Sequence, residues 1–258
     1  DHKILLSKLQ HYGIRGTALK WFESYLSHRM QFVEYNGIKS AHLRIKCGVS
    51  QGSILGPLLF LIYINDIASV SKTLHLILFA DDTNIFCASD DLTTLINSLN
   101  QQLTLINNWF LANKLSLNVS KTNFIIFCPW QRKYSLNNLT VLFNGTVINQ
   151  VKYRPTKFLG VYIDEHLCWN EHIHQVESKI SKSCGILARL KHILPQRVLL
   201  TLYNSLILPY LNYCPLVWAG CSSDHKLNKI LTTQKKAVRI ITKSSFKAHA
   251  SPLFKKLN

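Results

Sequence analysis

Two adjacent acids, Asp81 and Asp82, stand between two apolar runs in LILFADDTNIFCA, residues 76–88. The flanking stretches, Leu76 to Ala80 and Thr83 to Ala88, are short and rich in β-formers, which predicts two strands with the acids at or beside a hairpin turn. An unpartnered carboxylate is costly to desolvate and two adjacent ones repel, so burying both flanks would call for counter-charge at the turn. Divalent metal supplies it: Mg²⁺ takes hard oxygen ligands, keeps several waters, and is commonly held by one or two carboxylates together with substrate phosphates. Asp is also a favoured residue of solvated turns. The acid pair alone leaves both readings open.

The neighbouring elements must position this pair. Upstream, Gly48–Ile67 reads GVSQGSILGPLLFLIYINDI. Cys47–Ser53 is expected to be loop, with Gly48 and Gly52 where backbone can approach a ligand closely. Ser53 is placed to cap a helix over Ile54–Ile67, with Pro57 tolerated in its first turn. A helix N-terminus among small residues suits contact with a nucleotide or a template strand. Asn65 and Asp66 then read as a polar step at the helix end, not as metal ligands.

Asp1–Leu26 predicts two short amphipathic helices around a glycine-containing turn. Arg29–Lys46 alternates on either side of Asn36-Gly37, a hairpin signature, and its Arg29, Lys39, Arg44 and Lys46 face either nucleic acid or solvent. Ser89–Leu111 carries apolar residues at helical spacing, with Ser89 or Asp90 as cap and Asp91 in the first turn. Leu115–Cys128 is expected to end in a strand, FIIF, after Lys121.

Pro129–Asn138 is a polar, turn-rich joint, and Leu139–Val151 holds a second Asn-Gly hairpin at Asn144-Gly145. Lys157–Asp164 (KFLGVYID) reads as a strand in which Gly160 lets another backbone come close. From Trp169 the pattern is helical, with Tyr210–Cys221 an aromatic-rich connection and Lys229, Lys235, Lys236 and Arg239 on the last long helix.

A chain of 258 residues, 47% hydrophobic, can bury a substantial core. Its charge is uneven: residues 1–130 carry 11 Lys/Arg against 8 Asp/Glu, whereas residues 131–258 carry 19 against 5. A basic excess of that size suits a nucleic-acid backbone better than an anionic membrane surface. The longest apolar run, Leu55–Ile64, is too short to span a bilayer and contains Gly56 and Pro57. Seven cysteines without a C-x-x-C spacing read as reduced residues of an intracellular protein, mostly filling core. Because the chain begins at Asp1 and its only methionine is Met30, further sequence is expected before it in the parent protein.

FADDTNIF at Phe79–Phe86 resembles the aromatic-Ala-Asp-Asp hairpin of reverse transcriptases, most closely those of non-LTR (LINE-like, jockey/CR1-type) retrotransposons. Gly48–Ile67 resembles that family's Gly-Gln-Gly motif and following helix. Asn118–Phe127 (NVSKTNFIIF) and Lys157–Ile173 (KFLGVYIDEHLCWNEHI) resemble its later palm motifs, in the family's order. The resemblance implies an α+β fold: a polymerase palm, an antiparallel sheet with helices on one face, followed by a mostly α-helical thumb. Residues 1–130 would be partial fingers and palm, 131–168 a palm-end hairpin, and 169–258 a basic thumb-like region.

The resemblance further implies template-directed nucleotidyl transfer, copying RNA into DNA, with Asp81 and Asp82 as catalytic metal ligands for Mg²⁺ (or Mn²⁺). Lys121 would lie near the leaving pyrophosphate as a general acid; on its own residues it is equally a solvent-exposed lysine at a strand edge. Gln51, Gly52, Ser53, Phe79 and Ala80 would contact template and incoming dNTP, and Phe158, Leu159 and Gly160 the primer's 3′ end. Partners would be RNA template, DNA primer or RNA–DNA hybrid, and dNTPs, in cytoplasm or nucleus and without a membrane. The family's first metal-binding Asp sits on a strand just upstream of the segment matching Asp1–Leu9, so these 258 residues alone are expected not to polymerise. The alternative is an inactive remnant that binds RNA or DNA through its basic surface.

Overall fold

A computed structural model describes residues 1–131, 134–136, 139–220, 222 and 224–257; Cys221 and residues 132, 133, 137 and 138 of the expected joint lie outside them. The fold is α+β. Its strands pair in twos, antiparallel wherever a register is defined. The single sheet expected from the sequence is thus replaced, among the described residues, by separate ribbons. Most are local hairpins whose register comes from the turn between the strands.

The chain divides into two compact units, Asp1–Asn123 with Tyr134–Asn149, and Phe124–Lys133 with Gln150–Asn258. Residues 134–149 carry no Lys, Arg, Asp or Glu, so the charge asymmetry follows this division: net +3 in the first unit and +14 in the second.

In the first unit, helix His2–His11 is capped by Asp1, whose Oδ1 accepts the Lys3 and Ile4 N–H groups at 2.9 and 3.2 Å. This helix and Gly16–Leu26 are the expected pair, and their Leu5, Leu9 and Leu26 join Leu59 and Tyr63 in one core. Those last two belong to Leu55–Ile64, an apolar helix that tightens at Asn65–Ser69 into a 3-10 turn. The helix over Leu92–Ala112 buries Ile96, Leu103, Ile106 and Phe110. Its cap is Asp91 and not Ser89 or Asp90, because Asp91 Oδ2 accepts the Thr94 N–H at 2.7 Å, three residues on, the reach of an N-cap. Hairpin Leu142–Phe143/Thr146–Val147 packs on this helix. Asn144 and Gly145 sit at φ +49° and +73°, the type I′ turn that Asn-Gly favours.

In the second unit, helices Asn170–Leu190, Gln196–Leu206 and Asp224–Ile241 pack around Ile173, Ile180, Leu187, Leu199 and Ile241. The expected connection at 210–221 instead overlaps two short helices, Leu208–Asn212 and Pro215–Trp218. Each carries a proline in its first turn, where a missing N–H costs nothing. Of the described cysteines only Cys184 is buried, and Cys47 and Cys87 are exposed, so cysteine as core filler holds for one position.

Candidate active site

Strands His75–Phe79 and Asp82–Phe86 form the expected hairpin, with Phe79 opposite Asp82 and His75 opposite Phe86. Ala80 and Asp81 are the two turn residues. Ala80 takes φ +51° while Asp81 stays at negative φ, the φ pattern of a type II′ turn. That geometry puts Asp81 at the tip and Asp82 on the first rung, both exposed. Burial of both flanks, expected from their apolarity, does not occur. Leu76, Leu78, Thr83 and Ile85 are half-buried, whereas His75, Ile77 and Phe79 are exposed, Phe79 to 61%. The carboxylates therefore remain hydrated and can offer hard oxygen to a cation without first paying desolvation. Among the described residues no group of three or more His, Cys, Asp and Glu side chains is gathered for a metal. The site as it stands offers two carboxylates.

Gln51 and Gly52 occupy an exposed turn closed by the Ser53 N–H donating to the Ser50 carbonyl at 3.2 Å. Gly52 takes φ +81°, which glycine adopts without strain. The cap position of the following helix is Ile54, one residue beyond the expected Ser53; the Ser53 Oγ still serves the helix's first turn by accepting the Gly56 N–H at 3.1 Å. Gly48 and Ser50 line a recess together with His2, Tyr25 and Arg29. Arg29 donates from Nε to the Tyr25 carbonyl at 2.8 Å and lies 5.0 Å from the Tyr25 ring centre. The ribbon beyond it pairs Met30–Gln31 with Leu43–Arg44 and Glu34–Tyr35 with Ile38–Lys39. Lys39 approaches Glu34 at 3.8 Å.

Lys121 ends the 3-10 turn Val119–Lys121 and is exposed. The strand expected after it shrinks to Asn123–Phe124. Strand-forming side chains at Ile125, Ile126 and Phe127 do not make a ladder without a partner. Asp66 is a structural residue: its Oδ1 receives Lys8 Nζ at 2.7 Å. Lys8 also lies 4.9 Å from the ring centres of both Tyr63 and Trp109. Sequence reasoning missed this lysine. Its only signal was a cation placed between Leu5 and Leu9 on the buried face of the first helix.

In the second unit, Phe158, Leu159 and Gly160 are not one strand. Thr156–Phe158 pairs antiparallel with Val161–Ile163 across a turn at Leu159 and Gly160, at φ +43° and +89°. Gly160 is thus a turn residue, and its preference for positive φ is what ended the strand. Leu159 is bulky at positive φ, a conformation costing on the order of 1–3 kcal/mol that neighbours must hold in place. The return strand is tied by the Tyr162 N–H donating to His172 Nδ1 at 3.3 Å. Burial, with the nearby Lys179 charge adding to it, holds the His172 pKa below the ordinary 6.5.

Residues 1–163 match the family model for reverse transcriptase (RNA-dependent DNA polymerase). The chain is 27% identical over 229 residues to the probable RNA-directed DNA polymerase from transposon X-element of Drosophila melanogaster, covering 85% of this chain and 24% of that protein. It is 28% identical over 238 residues to the RNA-directed DNA polymerase from mobile element jockey of Drosophila funebris, with coverages of 85% and 24%. A third relative, the probable RNA-directed DNA polymerase from transposon BS of Drosophila melanogaster, is 25% identical across 100% of this chain and 30% of its own length. The chain thus spans 24–30% of these relatives.

Proposed function

The chain belongs to the reverse transcriptase (RNA-dependent DNA polymerase) family, and from that premise we propose that it is the part of a non-LTR retrotransposon polymerase that carries the Asp81-Asp82 turn and a basic grip on the template–primer hybrid. The supporting observation is the II′-type turn, which leaves two adjacent acids exposed, Asp81 at the tip of a hairpin and Asp82 on its first rung. Residues 1–130 are assigned to fingers and palm, 131–168 to the palm-end hairpin and 169–258 to the thumb.

Asp81 and Asp82 would hold Mg²⁺ or Mn²⁺, a fit to cations that take one or two carboxylates alongside substrate phosphates. When bound, such an ion supplies Lewis acidity to the primer hydroxyl and to the leaving pyrophosphate. The remaining roles belong to the chain itself. Gln51 and Gly52 present backbone to the templating pair, and Ser53 fixes the helix behind them. Phe79 and Ala80 border the incoming dNTP, and Lys121 offers a proton to pyrophosphate. Phe158, Leu159 and Gly160 meet the primer's 3′ end. The second unit's net +14 would hold hybrid by its phosphates, independently of sequence. An intracellular setting, cytoplasm or nucleus, follows from these partners. Among the described residues no helix is long and apolar enough to cross a membrane.

Mn²⁺ binding followed by electron paramagnetic resonance tests the assignment. The 258-residue chain should bind Mn²⁺, and Asp81→Asn should weaken binding by about ten-fold or more, the scale of losing one charged ligand. If hybrid binding is strong and salt-dependent while Mn²⁺ binding ignores Asp81→Asn, the inert binding-module reading wins. A full two-metal centre would draw on a carboxylate beyond this pair, so primed-RNA extension by the chain alone is expected to be nil. Extension that Asp81→Ala abolishes would overturn that expectation.

A further inference from the structure

Tyr213 comes from the aromatic-rich stretch whose purpose the sequence left unexplained, and it reaches the Leu159–Gly160 turn. Its hydroxyl donates to the Leu159 carbonyl. Its ring covers Gly160 so closely that a Cβ there would stand 3.2 Å from Tyr213 Cε1. Behind it, the Tyr213 carbonyl accepts Trp218 Nε1–H at 2.9 Å. Trp218 is buried and meets the His172 ring edge-on at 5.2 Å between centres. His172 in turn accepts the Tyr162 N–H of the hairpin's return strand. One buried indole therefore braces both the residue that holds the turn and the residue that holds the strand.

The turn needs such a brace. Its first central residue is Leu159 at φ +43°, where type I′ turns ordinarily place Asn, Asp or Gly. A side-chain hydroxyl on the carbonyl of that residue fixes the peptide plane between Leu159 and Gly160, and with it the direction of the turn's outward-facing groups. Tyr213 is otherwise half-exposed, so its O–H has water available and is nonetheless committed to this carbonyl.

We propose that Tyr213 is a positioning residue that sets the Leu159–Gly160 turn in the orientation that engages a recessed 3′ end of a hybrid. The proposal rests on the reading of Phe158–Gly160 as the primer-contacting hairpin. A rigid turn can discriminate a strand terminus from continuous duplex. A turn free to rock contacts both equally.

The test compares, by fluorescence anisotropy, the affinity of the full chain for an RNA–DNA hybrid with a recessed DNA 3′ end and for a blunt hybrid of equal paired length. The wild-type chain should favour the recessed end by about five-fold, the worth of one or two well-made hydrogen bonds. Tyr213→Phe keeps the ring and loses the hydroxyl. It should bring the ratio towards one while blunt-hybrid affinity and melting temperature stay within error. A Tyr213→Phe chain that keeps the wild-type ratio would overturn the role of Tyr213 and leave the hairpin assignment intact. One that loses both affinities together with thermal stability would reduce Tyr213 to a fold-stabilising contact and equally overturn it. A wild-type ratio of one would refute the hairpin assignment itself, and the proposal with it.

Discussion

Ser53 and Gly56 share one small volume. The Ser53 Oγ accepts the Gly56 N–H at 3.1 Å, and the same oxygen lies 2.9 Å from where a Cβ on Gly56 would stand. The hydroxyl's bond to the helix's first turn and the absence of a side chain are therefore one feature. Ser53→Ala should cost about 1 kcal/mol, the usual worth of a side-chain hydrogen bond to a helix's first turn. Gly56→Ala should expel the hydroxyl and lose that same bond despite alanine's better helix propensity. In urea unfolding the two changes should be strongly non-additive, the second costing little once the first is made. Additive losses would show that the hydroxyl and the missing Cβ act separately.

Lys8 is 13% exposed at its side chain and its partner Asp66 is 44% exposed. Lys8→Met should cost about 1–2 kcal/mol, less than a fully buried pair because Asp66 stays partly hydrated. Asp66→Asn should cost less than Lys8→Met, since it leaves the lysine over the Tyr63 and Trp109 rings. It should also leave Mn²⁺ affinity unchanged. A loss of Mn²⁺ binding with Asp66→Asn would place Asp66 in the metal site and refute its structural role.

Local turn chemistry was readable from the sequence. Asn36-Gly37 and Asn144-Gly145 both form type I′ turns, because few residue pairs tolerate two successive positive φ values. The helices, too, lie close to where apolar spacing puts them, the cap at Asp91 being off by one or two residues. What the sequence hid depends on distant partners. Ile125–Phe127 has strand composition and no ladder, and the strand expected over KFLGVYID is two strands, since Leu159 at positive φ has no compositional signature. The Lys8–Asp66 pair spans 58 residues and could not be read from either end. At the acid pair the position on the hairpin was legible, and the exposure of its flanks was not, because exposure is set by what packs on a strand and not by its residues.

Ala80 at φ +51° occupies the position that type II′ turns ordinarily give to glycine. Ala80→Gly should relieve about 1–2 kcal/mol of left-handed strain and return about half of it as extra unfolded-state entropy. The net effect should be a gain of up to about 1 kcal/mol in urea unfolding. A net loss would show that the turn is held by side-chain contacts of Ala80 and not by its φ.

Protonation of His172 is expected to weaken the fold. Its Nδ1 accepts the Tyr162 N–H, which only an unprotonated nitrogen can do, and burial keeps its pKa below 6.5. The unfolded chain therefore binds a proton more readily than the folded one. Stability is fully present above 6.5 and declines as pH falls from there through the lowered native value. Urea midpoints measured from pH 7.5 down to 5 should fall across that window in the wild-type chain. His172→Gln keeps an acceptor without titrating, and should start lower yet show a flatter dependence below 6.5. Ten other histidines are present, so the slope need not vanish. An unchanged slope in His172→Gln would mean that the acid response originates at another group and that the Tyr162–His172 bond survives protonation.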